Sequence, residues 1–177
     1  VPHKASVVGG SHVTGHVDID VEGRKVEVTI RARGLAPNLV HAQHIHGVGE
    51  SECPQPSDRN DRGFISTADG LPDYGAIRVS LTTRGDTSPA SGLAVNRFPV
   101  ANHEGVLRYH RTFTIGDNFP RSVARNLKDY QVVIHGIDAN HNKMYDFHSL
   151  GRSELDPSLP QEATIPASCG TLSISRH

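Results

Sequence analysis

The sequence predicts an all-β fold, a Greek-key sandwich or barrel, and three observations carry that expectation. Seventeen Gly and eleven Pro are spread over the whole 177-residue chain. Between them lie short β-branched runs that alternate apolar with polar residues. No long segment shows the 3.6-residue period of an amphipathic helix. Taken in order, Val17, Ile19 and Val21 alternate with Asp18 and Asp20. Glu22-Gly23 then supplies a turn, and Val26, Val28 and Ile30 alternate with polar neighbours. That pattern predicts a hairpin with one buried face. Further period-two runs fall at Val40 to Ile45, at Ile77, Val79 and Leu81, at Leu107 through Ile115, at Gln131 to Ile137, and at Thr171 to Ile174. Seven or eight short strands of this kind form a sandwich or barrel. Two long connections, Gly47 to about Tyr74 and Asp138 to about Pro166, break the rhythm, and connections of that length are functional or tied down. With no repeat, linker or low-complexity tract, residues 1–177 are expected to form a single domain, able to bury roughly 70% of its unfolded surface.

Charge narrows the function classes. Eighteen basic side chains face nineteen acidic ones, for a formal charge of −1, and no run of Lys or Arg is present. Nucleic-acid binding and anionic-membrane binding are not expected. No apolar stretch approaches the ~20 residues of a membrane span. A Ser-His-Asp arrangement, a P-loop, a dinucleotide fingerprint and a C-x-x-C are all missing, so hydrolase, nucleotide-dependent and thioredoxin-type chemistry lacks support. Oligomeric state leaves no mark in the sequence.

The unusual share of the composition is imidazole: twelve His beside two Cys, one Met and no Trp. In His41-Ala42-Gln43-His44-Ile45-His46-Gly47, a strand would project His44 and His46 from one face about 7 Å apart, with His41 pointing the other way. His135 ends the apolar run Val132-Val133-Ile134, a second central strand. Two imidazoles from one strand and one from a neighbour make a His3 site, whose donors suit Cu, Zn, Fe or Ni rather than Ca or Mg. A lone histidine on a half-buried strand is more often a satisfied core residue than a ligand; the H-x-H spacing shifts that balance. Ligation needs neutral imidazole, so affinity is expected to fall below about pH 6.

The chain from Leu39 to Gly49, together with the ends of the long loops, resembles the copper/zinc superoxide dismutase family. The histidine, two residues and H-x-H of that family correspond to His41, His44 and His46, followed by a loop bearing Cys53. The later copper ligand after an apolar strand corresponds to His135, and the second cysteine to Cys169 in Ser168-Cys169-Gly170. More narrowly, Leu81 to Ser88, the histidine segment and His135-Gly136-Ile137-Asp138 resemble secreted bacterial CHRD-domain proteins. The resemblance implies a superoxide dismutase-like sandwich with copper on His44, His46 and His135, and a structural His41 that links loops. It also implies a Cys53–Cys169 disulfide, worth about 4 to 5 kcal/mol in the chain-entropy model and formed outside the reducing cytoplasm. An exported protein whose signal peptide has been removed is expected. His141 or His148 would supply a fourth ligand unless solvent or substrate does. His110 should face the surface, and His3, His12, His16, His103 and His177 should face water. Two departures stand out. No histidine lies between Gly47 and Gly92, where the family's zinc ligands belong, and Pro166 occupies the place of the arginine that guides superoxide.

The first long loop also follows the twelve-residue EF-hand calcium pattern. Asp58, Asn60, Gly63 and Ile65 fall at positions one, three, six and eight, with Phe64 and Ser66 at further ligand positions and Asp69 last. Arg62 at position five and the short Asp69 at twelve count against calcium, and Arg62 stands to pair with Asp58 or Asp69. A second oxygen-rich run, Asp138-Ala139-Asn140-His141-Asn142 with Asp146, lacks the glycine.

The expected function is thus a secreted copper-binding protein with a mononuclear His3-type site, zinc being the alternative ion. It acts on a small molecule or an oxygen species if it is redox-active. The alternatives are a copper-only dismutase-like enzyme and a non-catalytic extracellular module with a structural or vestigial metal site.

Overall fold

A computed structural model describes residues 6–7 and 12–173. Among the described residues, eight strands form two antiparallel sheets: β1 (Ser6–Val7), β2 (Thr14–Glu22), β3 (Lys25–Arg33), β4 (Gln43–Gly47), β5 (Ala76–Ser80), β6 (Leu107–Thr114), β7 (Tyr130–His135) and β8 (Pro166–Thr171). One sheet has the order β1-β8-β7-β4-β5 and the other β2-β3-β6. The chain passes between the sheets after β1, β3, β5 and β6, as a Greek-key sandwich does.

The predicted hairpin is present, with Val17 opposite Ile30 and Val21 opposite Val26. Alternation is clean on β3, where Val26, Val28, Ile30 and Ala32 are buried between exposed or half-buried neighbours. Strand β2 lies at the sheet edge, so Val17 and Ile19 only half cover the core and Val21 is exposed. These side chains meet Ile45, Val79, Val132, Ile134 and Ala167 from the facing sheet in one apolar core, which makes the two sheets a sandwich.

Central strands β4 and β7 are buried at every position. Ile45, Val132 and Ile134 enter the sandwich core, so alternate residues project from the outer face. The long connections cover that face. Cys53, Ile65 and Tyr74 from the first one pack on Val133 and Cys169, and a Cys53–Cys169 disulfide closes 116 residues of chain over this second, smaller core.

Several boundaries differ from expectation. The strand predicted from Val40 begins at Gln43, because Val40 pairs singly with Val100 across a loop. The last strand ends at Thr171 rather than beginning there, so Cys169 lies within β8; Ile174 lies outside the described residues. The first long connection contains a helix, α1 (Thr67–Tyr74). Its start is a capping box in which the Asp69 N–H donates to Ser66 Oγ and the Ser66 N–H donates to the Asp69 carboxylate. Two shorter helices follow, α2 (Arg121–Arg125) and α3 (Gln161–Thr164).

Candidate metal centre

The outer face of β4 and β7 brings His44, His46 and His135 together. Ring centroids are 5.0 Å apart for His44 and His135, 5.5 Å for His44 and His46, and 5.9 Å for His46 and His135. Each side chain is nearly fully buried. The register with neighbouring strands slips between Ile45 and His46 and again between Ile134 and His135. Irregularities of this kind re-aim the next side chain, here a histidine in both cases.

Hydrogen bonds settle which nitrogen of each ring is free. A carbonyl oxygen only accepts, so the ring nitrogen facing it carries the proton. His44 Nε2 donates to the Gly92 carbonyl at 2.8 Å, His46 Nδ1 to Gly75 at 2.8 Å, and His135 Nδ1 to Thr164 at 2.7 Å. All three acceptors sit at the C-terminal ends of short helical turns: Gly75 after α1, Gly92 after the turn Pro89–Ser91, and Thr164 at the end of α3. Such carbonyls lack an intrahelical partner, and the imidazoles satisfy them. Gly75 is required there: its φ is +76°, and a Cβ would come within 2.3 Å of the Gly47 carbonyl oxygen.

The opposite nitrogens, His44 Nδ1, His46 Nε2 and His135 Nε2, are buried and have no hydrogen-bond partner. These rings offer donor atoms that all lie within 4.8 Å of one another. Leaving three buried acceptors unpaired costs about 1–3 kcal/mol each, and one cation would satisfy all three. The rings fit a metal of the imidazole-binding class, with the Gly92, Gly75 and Thr164 carbonyls already orienting them.

Burial keeps the rings neutral. It pushes His46 down to about 3, helped by the neighbouring His135, and His135 down to about 4; the carbonyl bonds oppose this. His44 is driven well below the ordinary imidazole value by burial and then by His135 and His46. A proton therefore competes for these lone pairs at lower pH than the value near 6 expected from an ordinary imidazole. Tyr74 packs on His46 with centroids 4.6 Å apart, and Phe98 on His44 at 5.3 Å, which fixes ring orientation from the sides.

A cavity of about 460 Å3 opens above the triad, walled by α1, the Ala76–Ile77 stretch, the Pro89–Val95 segment and the Leu155 and Ala163 side chains.

The other predicted positions fall elsewhere. His41 is buried beside the triad and bridges segments: its Nδ1 lies 2.9 Å from the His135 carbonyl and its Nε2 3.1 Å from the Ala36 carbonyl. His141 and His148 are exposed and outside the cluster; His141 borders a separate cleft with Asp138 and His12. His110, His12 and His103 are exposed, and His16 pairs with Asp18 at 3.0 Å. His3 and His177 lie outside the described residues.

In the calcium-like loop, Asp58 accepts the Gln55 N–H, and Asn60 accepts from the Arg62 and Phe64 backbones while its amide donates to Asp69. Ser66 and Asp69 form the helix cap, and Arg62 stacks over the Phe64 ring. In the second oxygen-rich run, Asp138 accepts from the Asn142 and Lys143 backbones, and the Asn140 amide donates to Asp146. The three carbonyls behind the rings escaped sequence reasoning, because a backbone oxygen has no residue signature; Gly75 and Gly92 were the only trace.

Comparison with solved structures finds Cu/Zn superoxide dismutase from Brucella abortus, with a TM-score of 0.47 and 16% sequence identity over 97% of each chain. No family model matches the chain, and no curated protein matches it.

Proposed function

We propose that this is an extracytoplasmic copper-binding protein that holds one ion on His44 Nδ1, His46 Nε2 and His135 Nε2. The observation that carries the reading is the convergence of three buried, unpartnered lone pairs whose opposite N–H groups are already committed to carbonyls. The Cys53–Cys169 disulfide supports an oxidising compartment, and no helix among the described residues is long and apolar enough to cross a membrane. The sequence resemblance to CHRD-domain proteins agrees with secretion. The first loop has no histidine where the dismutase family carries its zinc ligands, which supports a mononuclear site.

Copper, when bound, would supply one-electron redox chemistry. The chain itself orients three donors and keeps them deprotonated by burial. Zinc fits the same donors without redox chemistry.

Electron paramagnetic resonance of the Cu(II)-loaded protein tests the site. Nitrogen hyperfine structure is expected, and its loss in the His44→Ala and His46→Ala variants. A spectrum unchanged in both variants overturns the assignment. Metal content of protein purified without added metal separates copper from zinc. The resemblance also favours a copper-only dismutase-like reading. Superoxide consumption near a dismutase rate would establish it, whereas tight copper binding without that activity leaves a binding or sequestering module.

A further inference from the structure

We propose that the cavity over the triad receives an uncharged, predominantly apolar organic molecule, with at most one polar donor group directed at its floor. The proposal rests on the metal reading for that last feature alone.

The walls carry the argument. Leu71, Ile77, Pro89, Leu93, Val95 and Leu155 supply aliphatic surface, and the three histidines are the only ionisable residues in the lining. A volume of about 460 Å3 lies within the roughly 300–1,000 Å3 of small-molecule sites, far beyond what a diatomic oxygen species needs. Three of the large hydrophobic side chains that the protein leaves exposed, Leu71, Val95 and Leu155, border this one cavity. A soluble chain normally scatters such residues, so their convergence on one mouth marks a ligand-binding surface.

The polar inventory then limits the ligand. Besides the histidines, the lining holds two hydroxyls, Thr67 and Thr164. Thr67 Oγ1 donates to the Thr164 carbonyl at 2.8 Å, and Thr164 Oγ1 pairs with Ser153 Oγ at 2.8 Å. The outward nitrogens of the rings are committed to Gly92, Gly75 and Thr164. A charged ligand would lose its hydration and find no counter-charge on the walls. What remains for a polar group is the point where the three free lone pairs converge, at the floor, and an ion held there is the single polar handle. The apolar body lies between α1 and the Pro89–Val95 segment.

N-phenyl-1-naphthylamine, an uncharged probe that fluoresces in apolar surroundings, tests the proposal on the full chain, both metal-free and Cu(II)-loaded. Saturable one-to-one binding is expected, with quenching in the copper form because the probe sits above the ion. In the metal-free chain its sulfonated analogue, 8-anilinonaphthalene-1-sulfonate, is expected to bind at least about tenfold more weakly, since the added charge has no partner on the walls. Leu71→Asp and Leu155→Asp place a charge in the wall, and Ala90→Trp fills the space without one. Each should weaken the uncharged probe at least about tenfold. The first two positions are about half exposed and the third is exposed, so folding tolerates all three; circular dichroism confirms it.

The proposal is overturned by the lack of saturable binding, by binding unchanged in all three variants, or by equal affinity for the sulfonate in the metal-free chain. The copper resonance spectrum, recorded on the same samples, keeps the two readings apart. Copper uptake without probe binding overturns the pocket alone. Wall-sensitive probe binding in a chain that takes up no copper overturns the metal assignment alone.

Discussion

The two sheets bury their outer faces differently. In β2-β3-β6 one face enters the core and the other meets water, so β3 alternates buried Val26, Val28, Ile30 and Ala32 with solvated neighbours. In β4 and β7 both faces are covered: Ile45, Val132 and Ile134 enter the sandwich, while His44, His46 and His135 lie under loops. A face closed by loops, helix ends and a disulfide can bury polar groups that a face closed by another sheet would exclude. The covering carbonyls satisfy one nitrogen of each ring, and the other is left for a ligand. The outer face of the three-stranded sheet meets water, whereas that of the five-stranded sheet holds three buried histidines.

The largest expected effect breaks the cover. Cys53→Ser opens the 116-residue loop and should lower the unfolding free energy by about 4 to 5 kcal/mol, as read by denaturant titration under oxidising conditions. An unchanged midpoint would mean that the loops hold the outer face without the disulfide. On the other side of the sandwich, Ile30→Ala removes a fully buried side chain and should cost about 2–5 kcal/mol while leaving the copper spectrum unchanged. A disturbed spectrum would show that the two regions are coupled more closely than their separate covers imply.

A pH series sharpens the contrast further. In the metal-free protein His46 and His135 titrate at about 3 and 4, whereas in the unfolded chain they return to about 6.5. The unfolded state therefore takes up protons first. The stability tied to these groups is complete above about pH 6.5 and is lost as pH falls toward 4, by about 1.4 kcal/mol per pH unit for each ring. Thermal melts from pH 7 to 4 should show this slope, and His135→Asn should flatten it; an equal slope in that variant would place the sensitivity elsewhere. The smallest effect belongs to the sheet edge. Val21 is 44% exposed, and Val21→Thr should shift stability by no more than about 0.5 kcal/mol by denaturant titration. A larger loss would mean that this edge packs more than its exposure shows.

Legibility followed the same division. The β2–β3 hairpin could be read from alternation because one face meets water, so its apolar period survives in the residues. Strands β4 and β7 are buried on both faces, so the period-two runs at Val40 to Ile45 and Gln131 to Ile137 marked strands without marking a solvated face; His44 and His46 were legible from the H-x-H spacing, and His135 from its place after an apolar run. The loops were harder. Ser66 and Asp69 match calcium-loop positions by spacing, and in the fold they cap α1. His141 resembled a fourth donor in sequence, yet it stands on the surface, since proximity along a loop does not fix where a side chain ends.

By itself the sequence determined the all-β class, the strand pair that bears the three histidines and the cysteines that would close a loop over them, because alternation, spacing and residue chemistry are local properties. Which nitrogen of each ring is free, that the triad is buried, and that an aliphatic cavity stands above it emerge only from the folded chain. Those outcomes depend on backbone carbonyls at Gly75, Gly92 and Thr164 and on side chains from four separate segments, contacts between parts of the chain that no local pattern records.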